Sequence, residues 1–242
     1  MTRKFAVWAF IGVAALGLAL QGCGEVKSAG QASEDEEESG PSPYFSPPAP
    51  LASAIPSPAK NAGAKVSEDG LFKIFPVYTD ANSPDNHYVP SGMMGDFGDI
   101  KLDDKHMEKP RNGTTSIEVV YSNKASQGAR WAGVFWQNPP NNWGTRPGGY
   151  DLTGAKKLTF WARGEKGGER IEEFKIGGIT GEYADSDVAG IGPVILTTEW
   201  QQFTIDLEGK DLSSISGGFC WATNLDINPD GATFYLDDIR YE

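Results

Sequence analysis

Gln201-Gln202-Phe203-Thr204-Ile205-Asp206-Leu207 alternates without a break, setting Phe203, Ile205 and Leu207 against Gln202, Thr204 and Asp206. Side chains on a strand repeat every two residues, so this stretch offers one apolar face to a core and one polar face to water. The same period runs through Ile117 to Tyr121, with Ile117, Val119 and Tyr121 on one side, and through Leu158 to Ala162, with Leu158 and Phe160 inward. Phe234 to Ile239 closes the chain in the same style. Asn-Gly, Gly-Gly and Pro-Gly signals separate such runs, and no segment carries a sustained helical period with caps. The pattern predicts an all-β domain over residues 66–242, an antiparallel β-sandwich of jelly-roll form.

Two segments of different character precede it. Met1-Thr2-Arg3-Lys4 is a positive start, and Phe5 to Leu20 is an uncharged apolar run too short and too rich in Ala and Gly for a comfortable membrane span. Residues 1–22 therefore read as an export signal. Residues 23–65 hold the acidic block Ser33 to Ser39 and a stretch from Pro41 to Pro58 dense in Pro, Ser and Ala. Such a composition buries too little apolar surface to offset its ordering entropy, which predicts an extended, disordered tether. The acidic block reads as a self-repelling spacer in preference to a cation-binding strip.

Leu20-Gln21-Gly22-Cys23 resembles the lipobox of bacterial lipoproteins. That resemblance implies that Cys23 is acylated, palmitate-type chains included, and becomes the first residue of a mature, membrane-attached protein. Gly24 stands where those lipoproteins carry an Asp for inner-membrane retention, so the outer membrane or cell surface is expected. Loss of Arg3 and Lys4 with the signal takes the net charge from −12 to −14. A surface this acidic repels nucleic acid and anionic lipid headgroups, leaving the lipid anchor as the link to a membrane. With Cys23 lipidated, Cys220 has no partner for an intramolecular disulfide, and its apolar neighbours predict a small buried hydrophobe.

Three landmarks, Asp151 to Gly164, Thr198 to Leu207 and Thr233 to Ile239, resemble successive strands of jelly-roll carbohydrate-binding modules with a galactose-binding-like fold: a Phe-Trp-x-Arg-Gly strand, a Glu-Trp-x-x-Phe-x-Ile strand and a closing Phe-Tyr-Leu-Asp-Asp strand. Order and spacing match over roughly residues 76–242. The resemblance implies glycan binding, and a structural Ca²⁺ tying the first strand to the last, with Asp80 and Asp238 at the matching positions. Calcium takes several oxygen ligands, which carboxylates from distant strands can supply. Asp96 to Asp104 adds oxygens without the order of an EF-hand loop.

A sugar site needs flat aromatic faces beside amides, carboxylates or guanidinium that pair hydroxyls. Trp131 to Gly144, followed by Arg146 and Tyr150, is the richest stretch for this. On one strand Trp136 points away from Trp131 and Phe135, so only one set can face a ligand; Trp131 and Phe135 are assigned to the core and Trp136 to the ligand. Trp143, Asn141, Asn142 and Arg146 follow in a Pro/Gly-rich loop. His87 and Tyr88, and then Tyr183 and Asp185, are further candidates on other loops.

Catalysis is the competing class, and its motifs are missing. There is no Glu-x-Asp-x-x-Glu strand, no His-Glu-x-x-His and no Gly-x-Ser-x-Gly, although a glycosidase carboxylate pair can be assembled in space without one. The sequence therefore predicts a lipid-anchored, non-catalytic glycan-binding module. A polysaccharide-active enzyme on a jelly roll and a domain that docks an envelope protein stay open. Replacing Cys23 by Ser is expected to abolish detergent partitioning of the mature protein; unchanged partitioning would contradict the anchor.

Overall fold

A computed structural model describes residues 71–242; Cys23, the export signal, the tether and residues 66–70 lie outside the described residues. In chain order the strands are β1 (Phe75–Tyr78), β2 (Val89–Gly95), β3 (Ile100–His106), β4 (Ser116–Tyr121), β5 (Trp131–Gln137), β6 (Lys157–Gly164), β7 (Arg170–Ile171), β8 (Glu173–Gly177), β9 (Val188–Ile191), β10 (Val194–Ile195), β11 (Gln201–Asp206), β12 (Gly217–Asn224) and β13 (Ala232–Tyr241). A single 3₁₀ turn, Phe97–Asp99, is the helical element among the described residues.

The strands form the expected antiparallel sandwich. One sheet has the order β11-β6-β13-β4-β3, with β1 pairing the far end of β13; the other has the order β2-β5-β12-β8-β9. A two-stranded ribbon joins β7 and β10. Strand β13 is the longest, and it holds β6 along one side while β4 and then β1 share the other.

Alternation in the sequence becomes alternation in space. Ile117 and Val119 of β4, Leu158, Phe160 and Ala162 of β6, and Phe234 and Leu236 of β13 are buried in one core with Val134 and Trp136 of β5, Phe174 and Ile176 of β8, and Phe219 and Trp221 of β12. On β11, Ile205 is buried and Phe203 packs against the core, while Gln202, Thr204 and Asp206 are exposed. Aromatic rings stitch the two layers: Phe160 meets Phe174 at 4.7 Å and Phe219 at 5.2 Å between ring centres, and Trp221 meets Phe234 edge-on at 5.1 Å.

Strand β5 requires a correction. Trp136, assigned to the ligand from sequence, is 1% exposed and packs edge-on to Phe219 at 5.4 Å. It shares the inward face with Ala132 and Val134, so Trp131, Gly133, Phe135 and Gln137 form the outward set. Cys220 is buried as expected, and its burial pushes the thiol well above the usual range.

Phe160→Ala removes the ring that both layers share. It is expected to cost roughly 3–5 kcal/mol, a fall of about 6–20 °C in melting temperature. Gln202→Ala, on the wet side of β11, should stay within about 0.5 kcal/mol of wild type. Thermal melts of the two variants check this, and equal losses would contradict the assigned faces.

Candidate functional site

The outward face of the β2-β5-β12-β8-β9 sheet is built by register. Phe135 is flanked across the ladder by Gly92 on one side and by Cys220, Lys175 and Gly190 on the other. Gly133 is flanked by Met94 and by Ala222, beyond which stands Glu173. The centre of this face is a low floor of small residues. A Cβ at Gly133 would come within 2.7 Å of the Trp221 carbonyl oxygen and 2.9 Å of the Met94 methyl group, so no larger side chain fits there without displacement.

Aromatic rings stand at both ends of the floor. Trp131, at the start of β5, is 40% exposed. At the other end Phe135 lies in the floor, with Trp143 edge-on above it at 6.0 Å and also 40% exposed. The Lys175 ammonium sits 5.6 Å from the Phe135 ring centre and pairs with Glu173 at 2.8 Å. Both partners are partly in water, so the pair adds little stability and leaves ammonium protons and carboxylate oxygens for a ligand. Next to Glu173, Val188 and Gly190 line a shallow depression.

The Trp143 loop is stapled from within. Buried Asn142 donates its side-chain N–H to the Arg146 carbonyl oxygen at 2.9 Å, and its backbone carbonyl oxygen accepts from Gln137 Nε2 at 3.0 Å. The Arg146 guanidinium donates to the Pro140 carbonyl oxygen. Asn141 is exposed in a left-handed conformation, and its backbone N–H donates to Ser91 Oγ. Tyr183 is 38% exposed and is brought to this loop by its backbone N–H, which donates to the Gly144 carbonyl oxygen at 3.0 Å. Trp143, Asn141, Arg146 and Tyr183 therefore share one region.

Other candidates are structural. Asn142 is a buried staple and not a hydroxyl partner. Asp185 accepts the backbone N–H groups of Ile179, Ser216 and Gly217, while burial raises its carboxyl above the ordinary range. Tyr88 is buried, with its hydroxyl on the Ile215 carbonyl oxygen. The His87 ring stacks on Phe75 at 3.8 Å, and the Tyr150 hydroxyl donates to the His87 carbonyl oxygen while accepting from Asn138. These three form part of the sandwich wall. Trp131, Lys175 and Glu173 are the residues that sequence reasoning passed over, while Phe135, assigned to the core, is buried as expected at 4% exposed although it lies on the outward side of β5. A signal for Trp131 was present: its face of β5 also carries Gly133 and Gln137, whereas the opposite face is Ala132, Val134 and Trp136.

Among the described residues, Asp80 and Asp238 are not gathered into one group of metal-ligating side chains. The Tyr78–Ile239 pairing brings the end of β1 beside this part of β13. Asp80 Oδ1, however, accepts the backbone N–H groups of Thr114 and Thr115 at 2.9 and 2.7 Å and both their hydroxyls at 3.1 and 2.9 Å. The Thr114 N–H leads in holding the Asp80 carboxyl below its ordinary range. Neighbouring Asp237, fully buried, accepts the backbone N–H groups of Arg111 and Asn112; burial pushes its carboxyl up to about 7 against the pull of these bonds. Asp238 occupies a left-handed position at the irregularity in β13 and joins no group of three or more metal-ligating side chains among the described residues. Asp96 and Asp99 are likewise spent, on the backbone of Gln127, Ala129 and Arg130 and on Ser126. Calcium needs oxygen lone pairs, and Asp80 Oδ1 and the carboxylates of Asp96, Asp99 and Asp237 are committed to N–H and O–H donors that fix the loops.

Neither a protein-family model nor a curated protein matches the sequence. Solved structures do match. A crystal structure of a family 30 carbohydrate-binding module is similar with a TM-score of 0.50 at 17% identity, over 71% of this chain and 99% of that one. The fold is shared with carbohydrate-binding modules. The family 30 module of the cellulosomal cellulase Cel9D-Cel44B of Clostridium thermocellum is similar with a TM-score of 0.45 at 17% identity, over 71% and 98% of the two chains. At such identity the likeness is one of fold.

The donor-filled surroundings of Asp80 predict a melting temperature that a calcium chelator leaves unchanged. Asp80→Ala, which leaves the donors of Thr114 and Thr115 without their acceptor, is expected to lose roughly 1–3 kcal/mol. A chelator-induced fall that Asp238→Ala abolishes would return the pair to calcium.

Proposed function

We propose that this domain is a non-catalytic glycan-binding module that takes a polysaccharide chain across the outward face of the β2-β5-β12-β8-β9 sheet. One observation carries the reading: Trp131 and Trp143 stand in water at the two ends of a floor from which glycine and alanine keep other side chains away. Sugar rings present apolar C–H faces, which stack on exposed aromatic rings, and equatorial hydroxyls, which pair with charged groups. Buried Phe135, against which Trp143 packs, is four residues or about 13 Å along an extended strand from Trp131, so the two exposed indoles suit a chain of several sugars in preference to one. Lys175 and Glu173 lie beside that path as hydroxyl partners, and Tyr183 extends it beyond Trp143. The shared fold with carbohydrate-binding modules is consistent with this reading.

Lipid anchoring through Cys23 and display at a bacterial envelope belong to the same proposal, supported by the Leu20-Gln21-Gly22-Cys23 sequence and the acidic, Pro-rich stretch that follows.

A glycan array probed with the mature chain identifies the ligand, and calorimetry then measures it. A single open face of this type gives affinities of about micromolar to millimolar. Trp131→Ala and Trp143→Ala are each expected to weaken binding by roughly 3- to 10-fold, at about 0.5–1.5 kcal/mol per ring, with melting temperatures near wild type. Wild-type affinity in both variants would overturn the assignment of this face.

A further inference from the structure

The opposite face of the sandwich carries a cluster that glycan binding does not use. His106 of β3, Asp103 of the same strand and Glu118 of β4 each bring one ligand atom within 4.8 Å of the other two. Asp103 and Glu118 are direct cross-strand partners, and His106 is the partner of Ser116. Residues three apart on a regular strand face opposite ways; the irregularity between Asp103 and His106 inserts the extra residue that turns both side chains to one face. That face is the outer one, since Ile117 and Val119 on either side of Glu118 are buried in the core.

We propose that Asp103, His106 and Glu118 form a zinc-binding site on the outer face of the β11-β6-β13-β4-β3 sheet. His106 Nδ1 and Glu118 Oε2 are 3.8 Å apart. This is too long for a hydrogen bond, yet a Zn²⁺ ion with bonds of about 2.0–2.2 Å to nitrogen and oxygen reaches both without moving either. Like charges directly across a ladder repel, and a divalent cation between Asp103 and Glu118 removes that cost. The Tyr235 hydroxyl lies between Glu118 Oε1 at 3.2 Å and Glu165 Oε2 at 2.9 Å, and its ring lies 5.0 Å from that of His106, so it walls the cluster on the β13 side. Beside His106, Ser116 is fully buried on the Glu118 side of β4, and its hydroxyl oxygen has no hydrogen-bond partner. One imidazole nitrogen and two carboxylates favour zinc over calcium, which takes oxygen, and the exposed Asp103 leaves a fourth position open to water.

The test is calorimetric titration of the mature, untagged, metal-stripped chain with ZnCl₂ in excess calcium. One equivalent of zinc is expected to bind. The chain has two histidines, which makes the control direct. His106→Gln and Glu118→Gln should each lose affinity by ~10-fold or more, and His87→Gln should bind as wild type does. Melting curves confirm that each variant folds, and Co²⁺ gives a visible absorption band that His106→Gln loses. Absence of zinc binding to the wild-type chain, or undiminished binding by folded His106→Gln and Glu118→Gln, overturns the site.

Discussion

Contact between Phe160 on one sheet and Phe174 and Phe219 on the other is the constraint on which the remaining structure depends. Burial of aromatic and aliphatic side chains is the dominant favourable term available to two sheets that share few backbone hydrogen bonds. It fixes which residues of every strand point inward. Because the side-chain period is two, it fixes the outward residues as well. A one-residue slip of β5 would put Trp131 and Phe135 into the core and expel Trp136.

Function follows from what this leaves outside. On the β2-β5-β12-β8-β9 sheet the outward rows contain glycine, alanine and cysteine between two exposed indole rings, and the loops after β5 and β8 close on one another through Gly144 and Tyr183. On the other sheet the outward residues are polar and charged, with Arg163 stacked over Tyr235 at 3.7 Å and Arg111 over Trp161 at 4.0 Å. Aromatic rings there are already covered by guanidinium groups. The two faces are thus chemically distinct: one offers bare rings over a low floor, the other a cross-strand row of carboxylates, imidazole and guanidinium.

The strands were legible because β11 alternates without exception and β4, β6 and β13 nearly so, with Val120 and Trp161 as apolar residues in outward rows that are otherwise largely polar. Strand β5 was not, because both its faces are apolar enough to be buried; Trp136 and Phe135 differ in sequence only through their neighbours Gly133 and Gln137. Trp143 and Tyr183 could be singled out as rings on loops, whereas Asp185 could not be recognised as a staple, since the Ser216 N–H it accepts comes from a distant segment, and Asn142 folds back on Arg146 of its own loop in a turn that no periodicity announces. Asp80 misled for a related reason. A carboxylate at a strand end serves a cation or a set of backbone N–H groups equally well, and the Thr114–Thr115 segment that decides the matter is 34 residues away. The Asp103, His106 and Glu118 cluster depends on a strand irregularity that no periodicity announces.

Indole N–H resonances of the mature chain, followed by NMR during titration with a bound glycan, report on both faces and the core at once. The account predicts that the signals of Trp131 and Trp143 move together, that Trp136 and Trp221 hold still in the core, and that Trp161 and Trp200 are unaffected. Movement at Trp161 and Trp200 with Trp131 and Trp143 unchanged would place the glycan on the opposite sheet and contradict it.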